Sequence, residues 1–473
     1  MDLILDKIGE INSFIYDNFL SIAMLVLLIA TGLFLSVKTR FLQFRKFGYT
    51  IKNTLGSLFS KNQHESDKGS VTPFQAVTTA LAGTIGTGSI AGLATALVSG
   101  GPGAVFWMWI SALLGMVTKY SEIVLSIKYR EKNEKGAYVG GPMYYIKNGL
   151  GMKWLAALFA VFAMIACLGT GNATQSNSIA DVMNKTFEVP VLLTGLVLTL
   201  IVGAVILGGV KRIASVNEKL VPFMAAFFII SAVAALILRL DRIPEAFALI
   251  FKEAFNFKSA FGGVLGYGVI SAMRMGIGRG VFSNEAGLGS APIAHAASST
   301  KDPVKQGLWG MFEVFITTIV ICTFSALVVL TSDAYFVSSS EFLATGSAAI
   351  NGASLSSAAF NEALPGIGSI GVAISTIFFS LSTILGWAYY GEVCAGYLFK
   401  KHRNAAVWVY RIVYVAFVFI GTTVNLQVIW GIADTMNALM AVPNLIGIIG
   451  LYKVVKSLTK EHFEKKNIPS IKE

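Results

Sequence analysis

Charged residues are scarce in this chain of 473 residues, of which only 13% are Asp, Glu, Lys or Arg. Soluble globular domains carry about 25% charged residues, so this scarcity argues against that class. Apolar residues make up 55% of the chain instead. We therefore expect an all-α protein that lies in a lipid bilayer, with residues 1–473 forming a single integral membrane domain.

Cysteine and histidine are also rare, with three and four residues respectively. Cys167, Cys322 and Cys394 stand alone in apolar segments, without CxxC spacing or histidines at ligand distance. This pattern argues against a disulfide framework and against a zinc site. None of the histidines has the nucleophile or carboxylate cluster beside it that an embedded enzyme would need. We expect neither enzymatic activity nor an organic cofactor.

Long apolar runs, by contrast, are abundant, and eleven are long enough to cross a bilayer. The spans are predicted at about residues 16–37, 76–98, 101–127, 153–181, 190–209, 219–239, 263–295, 305–332, 366–396, 405–423 and 428–455. Polar residues concentrate at one depth instead of recurring along several helices as they do in a polar pore. This distribution favours a transporter over a channel.

Lys and Arg alternate between the segments that join these spans. The segments 38–75, 128–153, 210–219, 296–305, 397–404 and 453–473 hold 7, 6, 3, 2, 3 and 6 of them. The segments 1–15, 182–189, 239–262, 331–365 and 424–427 hold 1, 1, 4, 0 and 0. Because positive charge near span ends is retained in the cytoplasm, the N-terminus is predicted outside and the C-terminus inside, in a multi-pass protein of the plasma membrane.

This alternation also explains the net charge of +11 without nucleic acid as a partner. The basic residues belong to alternate loops and form no single patch that could follow a phosphate backbone. The expected partners are the lipid bilayer and a small substrate, and the oligomeric state is left open.

Two spans contain glycine clusters that a helix facing only lipid has no reason to carry. The second span includes Gly86-Thr87-Gly88-Ser89 and the seventh includes Gly287-Leu288-Gly289-Ser290, so both contain the pattern Gly-x-Gly-Ser. Each glycine costs about 1 kcal/mol of helix stability relative to alanine, so both helices are predicted to break there. Glycines can also serve close helix packing, but two clusters at matching positions favour the breaks.

The matching positions of the breaks predict an inverted repeat. With a leading helix at about 16–37 set aside, residues 76–239 and 263–455 form two halves of five spans, and each half begins with a broken helix. Free N–H groups at such breaks bind a carboxylate, and free carbonyl groups bind a cation. A zwitterionic amino acid together with Na⁺ fits this chemistry.

Four runs make the sequence similar to a known family. They are LAGTIGTGSIAG (81–92), GGPGAVFWMW (100–109), GGPMYYI (140–146) and RGVFSNEAGLGSAPIAH (279–295). With them the chain resembles the alanine or glycine:cation symporter family, of the sodium:alanine symporter type. The resemblance implies a leucine-transporter-like fold of about eleven transmembrane helices, with ten core helices in two inverted halves and an additional leading helix.

The resemblance also implies a function. A secondary active symporter would take up a small neutral amino acid, alanine or glycine, with Na⁺ by alternating access. Coupling to H⁺, and glutamine or another neutral amino acid as substrate, remain alternatives at this point.

Site residues follow from the same resemblance. The expected substrate contacts are Thr84, Gly86, Thr87, Gly88, Gln175, Phe282, Ser283, Asn284, Glu285 and Trp387. The expected Na⁺ ligands are Ala82, Ile85, Phe379, Ser382 and Thr383. Trp387 would close the side-chain pocket and limit it to hydrogen or methyl, unless it is an interface anchor. Gln175 could instead join helices, and the hydroxyls could bond back to their own helix.

Several charged residues also lie within the spans. Lys119 and Glu122, three residues apart on one helix, are candidates to pair with each other, and Lys119 is expected to snorkel to a span end or to form a static pair. Glu285 lies inside the second break, where it is a candidate to bind the substrate ammonium, a cation or a proton. His295 is expected to make a structural hydrogen bond, with proton relay as the alternative.

Overall fold

The computed structural model describes the chain from residue 20 to residue 465 with four gaps, and Asn12 besides. The described ranges are 20–58, 71–255, 268–348, 350–423 and 426–465. The predicted beginnings of the leading helix and of the seventh span, residues 16–19 and 263–267, lie outside them.

Helices dominate the described ranges. The main ones are α1 Ser21–Lys38, α2 Pro73–Thr84, α3 Ala91–Gly100, α4 Gly103–Tyr129, α5 Lys153–Phe187, α6 Val191–Ile206, α7 Gly209–Ile237, α8 Ile243–Ala254, α9 Gly268–Asn284, α10 Ala291–Ala296, α11 Pro303–Leu330, α12 Asp333–Thr345, α13 Gly352–Ala363, α14 Gly368–Leu398, α15 Arg403–Thr423, α16 Leu426–Gly450 and α17 Tyr452–Lys465. Shorter helices are Leu42–Arg45, Phe47–Asn53, Leu55–Leu58 and Pro142–Leu150. The strands Glu131–Lys132 and Tyr138–Val139 form an antiparallel pair.

Eight helices in the described ranges are long and apolar enough to cross a membrane, and the bent pair α2 and α3 would make a ninth span. Helix α6 is apolar but has only 16 residues. The seventh predicted span appears as two pieces, α9 and the six-residue α10. The membrane class is confirmed, whereas the count of eleven spans stays a prediction.

Helix α2 begins where its sequence supplies start signals. Thr72 Oγ1 accepts a hydrogen bond from the Gln75 amide at 3.1 Å, and Gln75 Oε1 accepts one from the Thr72 amide at 3.1 Å. Pro73, whose missing N–H would be unpaired in any case, takes the first helical position. Local chemistry therefore fixes the start of the first broken span.

Both predicted breaks are present. Helices α2 and α3 are bent by 59° relative to each other, and a short 3₁₀ turn, Thr87–Ser89, lies between them. Between α9 and α10 the backbone takes positive φ at Glu285, Gly287 and Gly289. Such angles are adopted readily by glycine but rarely by other residues, which explains the glycine density of the second break.

The two broken spans pack against each other reciprocally. Helix α2 contacts α10, and α3 contacts α9, so the first piece of each span meets the second piece of the other. Helix α4 packs on α9 and α11, and α14 packs on α2 and α5. This core surrounds the breaks. Large apolar side chains such as Leu200, Ile230 and Ile412 are more than half exposed on the outer helices, as lipid contact requires.

Candidate functional site

A small cavity of about 20 Å³ lies where the two breaks meet α5, α14 and α16. Its lining consists of Gly83, Thr84, Gly86, Gly88, Thr170, Gln175, Phe282, Glu285, Leu288, Thr383, Trp387 and Asn437. All of these except Phe282 are buried. A space of this size holds about one water molecule, so the cavity suits only a very small ligand without rearrangement.

The first break brings its backbone close to other helices because it carries glycines. A Cβ atom on Gly86 would lie 2.8 Å from Thr383 Oγ1 and 3.4 Å from Gln175 Oε1. One on Gly88 would lie 2.8 Å from Phe282 Cδ1. The two contacts of 2.8 Å are shorter than real Cβ atoms make, so a larger residue at either position would force Thr383 or Phe282 to shift, and glycine permits the close approach. The amide of Thr87 donates to Gln175 Oε1 at 3.4 Å.

The second break places a buried carboxylate at the cavity. Trp387 Nε1 is 3.0 Å from Glu285 Oε1 and 3.2 Å from the Gly83 carbonyl oxygen. Ser290 Oγ donates to the other oxygen of Glu285 at 2.5 Å. Trp387 therefore lies mid-span at the cavity, away from the membrane interface, and connects the first break to the second.

The five predicted Na⁺ ligands converge beside this cavity. Thr383 Oγ1 lies 3.0 Å from the Ala82 carbonyl oxygen, 3.5 Å from that of Ile85 and 2.9 Å from that of Phe379. Ser382 Oγ lies 2.9 Å from the Phe379 oxygen and 3.4 Å from the Ala82 oxygen. The hydroxyls thus bond back to α14 and also reach the end of α2.

This oxygen cluster has more acceptors than protons. The single hydroxyl proton of Thr383 faces three carbonyl oxygens within 3.5 Å, and it can bond strongly to only one of them. A hard cation satisfies such a surplus of oxygen atoms. The residues present therefore fit Na⁺.

Three predicted substrate residues do not line the cavity. Ser283 Oγ lies 3.4 Å from Ser89 Oγ and 3.2 Å from Cys322 Sγ. Asn284 Oδ1 accepts from the Ala286 amide at 2.9 Å, and its Nδ2 donates to Thr318. Thr87 also lies beside the lining residues and not among them.

The sequence prediction missed Gly83, Thr170, Leu288 and Asn437 among the lining residues. Asn437 Nδ2 donates to Thr170 Oγ1 at 2.8 Å, so this pair connects α16 to α5 at the edge of the cavity. Thr170 belongs to a π-helical turn, Gly169–Ala173, of a kind that is often found at functional sites. The signal for Asn437 was its amide side chain in an apolar span, 428–455, which contains one other asparagine, Asn444.

Lys119 forms a buried ion pair, but its partner is not Glu122. Lys119 Nζ lies 3.1 Å from Glu313 Oε2 on α11. Glu122 Oε1 instead accepts from the Gly287 amide at 3.0 Å and from Asn444 Nδ2 at 2.5 Å. The two side chains leave α4 toward different neighbours, and each finds a closer partner there than the other could offer.

His295 makes hydrogen bonds through both of its ring nitrogens. Its Nε2 lies 2.5 Å from Glu313 Oε1, and its Nδ1 lies 2.8 Å from Gln306 Nε2. The ring is completely buried. Glu313 is therefore shared between Lys119 and His295, and this buried group connects the second break to α11.

Comparison with known proteins identifies the family. The profile described as the sodium:alanine symporter family matches residues 1–472. The chain belongs to this family. It is 45% identical to the sodium/alanine symporter AgcS of Methanococcus maripaludis, over 96% of each chain. It is 44% identical to an uncharacterized transporter of Haemophilus influenzae, over 98% of this chain and 96% of that one.

The chain is also 36% identical to the probable sodium/glutamine symporter GlnT of Bacillus subtilis, over 98% of this chain and 92% of that one. Among solved structures, a Na⁺-coupled sialic acid symporter matches with a TM-score of 0.57 at 13% identity, over 91% of this chain and 87% of that one. The manganese transporter of Eremococcus coleocola matches with a TM-score of 0.53 at 13% identity, over 84% and 82%. At these identities the likeness shows the fold alone, which is that of multi-span membrane transporters.

Proposed function

We propose that this chain is a plasma-membrane symporter that takes up alanine or glycine together with Na⁺ by alternating access. The proposal rests on one observation: Thr383 belongs both to the cavity and to the oxygen cluster. Thr383 lines the small cavity, and the same hydroxyl belongs to the cluster of five oxygen ligands. A cation there and a substrate in the cavity would be neighbours, so the binding of one would favour the binding of the other.

The substrate carboxylate is assigned to the first break, beside Gly86, Thr87 and Gly88. Backbone N–H groups at a helix break attract an anion, and Gln175 already reaches the Thr87 amide. The substrate ammonium is assigned to Glu285, whose carboxylate faces the same cavity from the second break. The two charged ends of a zwitterion would thus join both halves of the protein.

The size of the cavity supports a small side chain. Trp387 forms one wall, and its indole is held by hydrogen bonds to Gly83 and Glu285. Because the cavity is narrow, we assign a hydrogen or methyl side chain to the space beside this wall, and the longer side chain of glutamine would need the wall to move. The relative named as a sodium/glutamine symporter makes glutamine the second candidate.

The Na⁺ ion is assigned to Ala82, Ile85, Phe379, Ser382 and Thr383. It would hold the end of α2 against α14 and so stabilise the conformation that accepts substrate. Residues 76–239 and 263–455 would then move relative to each other around the site. The N-terminus is placed outside and the C-terminus in the cytoplasm, because basic residues concentrate in alternate loops.

Uptake into proteoliposomes tests the proposal. Purified protein should accumulate isotopic alanine when an inward Na⁺ gradient is imposed, and not under an equal K⁺ gradient. Unlabelled glycine should compete more strongly than glutamine. Accumulation driven by a pH gradient without Na⁺ would favour proton coupling, and stronger competition by glutamine would favour the second candidate.

A further inference from the structure

Lys119 is a lysine without any solvent exposure near the middle of α4. Its ammonium is surrounded by oxygen atoms: the Asn284 carbonyl at 2.8 Å, Glu313 Oε2 at 3.1 Å and Thr84 Oγ1 at 3.3 Å. Burying an ammonium is costly unless such partners replace its water. The three oxygen atoms form a buried position that a cation stabilises, and the Lys119 ammonium is that cation.

The three oxygen atoms come from three different elements. Thr84 is the last residue of α2 at the first break, and Asn284 is the last residue of α9 at the second. Glu313 lies on α11. A carbonyl at the C-terminal end of a helix carries partial negative charge and, at a broken helix, commonly serves as a ligand of a coupling cation. The ammonium thus lies where such an ion would bridge both breaks.

The residues at the end of α2 divide between two cation positions. The carbonyls of Ala82 and Ile85 face the oxygen cluster around Thr383. The Thr84 hydroxyl faces Lys119, and the Gly83 carbonyl bonds to Trp387. The end of α2 therefore contributes oxygen atoms both to the proposed Na⁺ site and to the position that the Lys119 ammonium fills.

We infer that the Lys119 ammonium is a tethered cation that takes the place of a second coupling ion. It holds the two breaks together throughout the cycle, so only the position beside Thr383 binds a mobile ion. This inference rests on the proposed Na⁺-coupled uptake of alanine. It predicts that one Na⁺ moves with each alanine.

The stoichiometry can be measured on the wild-type protein in proteoliposomes. With equal Na⁺ on both sides and a tenfold alanine gradient, net alanine flux should stop at a membrane potential of about 59 mV for one charge per alanine. A null potential of about 30 mV would mean two charges and would overturn the inference. Absence of any Na⁺-dependent alanine flux would instead refute the proposed function.

Substitution of the lysine tests the position itself. Lys119→Ala removes the ammonium and leaves its three oxygen ligands, so a second Na⁺ should enter, and the Hill coefficient for Na⁺ should rise from about 1 toward 2. Lys119→Met removes the charge but fills the space, so its Hill coefficient should stay near 1 while alanine uptake falls at least tenfold. Lys147→Ala, at a half-buried surface ion pair, is the control and should behave as wild type.

The Hill coefficient can also be measured without transport, from the binding of isotopic Na⁺ to variants purified in detergent. Only variants that elute as a single size-exclusion peak are used. Wild-type uptake rate and a Hill coefficient of 1 in Lys119→Ala would contradict the tethered cation. If neither Lys119 variant yields such a peak, the wild-type null potential decides by itself.

Discussion

At the scale of single residues, the site depends on side chains that are absent as much as on those present. Gly86 lies so close to Thr383 that a methyl group on it would be 2.8 Å from Thr383 Oγ1. Because Gly86 has no side chain, the proposed ion site around Thr383 and the substrate cavity adjoin each other.

Gly86→Ala should therefore lower alanine uptake by roughly 5- to 150-fold. The added Cβ would lie 2.8 Å from Thr383 Oγ1, and overpacking of this kind costs about 1–3 kcal/mol. The measurement is the initial rate of isotopic alanine uptake, normalised to protein in the membrane. Gly371→Ala on α14 is the control, since its nearest neighbour, Ser231 Oγ, is 3.9 Å away. Equal rates for the two variants would contradict the close approach.

Thr383→Ala should raise the Na⁺ concentration for half-maximal uptake by roughly 10- to 100-fold. The variant loses one of five oxygen ligands, and hydrogen-bonding groups on a charge contribute about 1.5–3 kcal/mol. Thr376→Ala is the matched control on the same helix, because the Thr376 hydroxyl bonds to the Val372 carbonyl oxygen within α14. A Na⁺ dependence that is the same in both variants would remove Thr383 from the ion site.

Trp387→Ala should widen substrate choice so that glutamine inhibits alanine uptake. Loss of the indole removes one wall of the cavity. Trp387→Phe keeps most of that wall but loses the N–H donor to Glu285 and Gly83, so it should weaken alanine binding about tenfold without admitting glutamine. Competition assays on both variants separate the wall from the hydrogen bond. Equal exclusion of glutamine by both would contradict the pocket role.

At the scale of helices, the sequence predicted the breaks but not every partner of the residues near them. Glycine spacing determines local backbone freedom, so the breaks near Gly86 and Gly287 could be predicted from the sequence alone. The neighbours of Lys119 and the place of Asn437 depend on which helices meet, and periodicity within one helix carries no information about that. The same limit explains why Ser283 and Asn284 were assigned to a cavity that they do not line.

The start of α11 provides a test of an element outside the membrane core. Asp302 caps this helix by accepting from the Val304 and Lys305 amides at 3.0 and 3.2 Å, and it pairs with His462 Nδ1 at 3.0 Å. Partial burial alone would raise the pKa of Asp302, but hydrogen bonds from His462 and the helix amides hold it below its ordinary value. Its stabilising effect is therefore present above the unfolded-state pKa and is lost as pH falls through the lower folded-state pKa.

Asp302→Ala should lower the free energy of unfolding by about 1 kcal/mol at neutral pH, the usual worth of a helix cap. Asp302→Asn keeps a capping side chain and should lose less. Thermal unfolding in detergent, at neutral pH and below about pH 4, is the measurement. The difference between wild type and Asp302→Ala should shrink at the lower pH. A difference independent of pH would show that the carboxylate charge does not contribute.

At the scale of the whole molecule, the reciprocal packing of α2 with α10 and of α3 with α9 agrees with two inverted halves. The orientation of the protein in the membrane is predicted from the charge of the loops alone. Segment 331–365 holds no Lys or Arg and is predicted outside, whereas segment 128–153 holds six and is predicted in the cytoplasm.

Cysteine labelling checks this orientation directly. The three native cysteines are all buried, so an impermeant maleimide should react with them little. Ser347 and Lys135 are exposed positions on the two predicted sides. Ser347→Cys should be labelled in intact cells, and Lys135→Cys only after the membrane is permeabilised. The reverse pattern would invert the orientation, and Na⁺ and alanine would then enter the site from the opposite face to the one proposed.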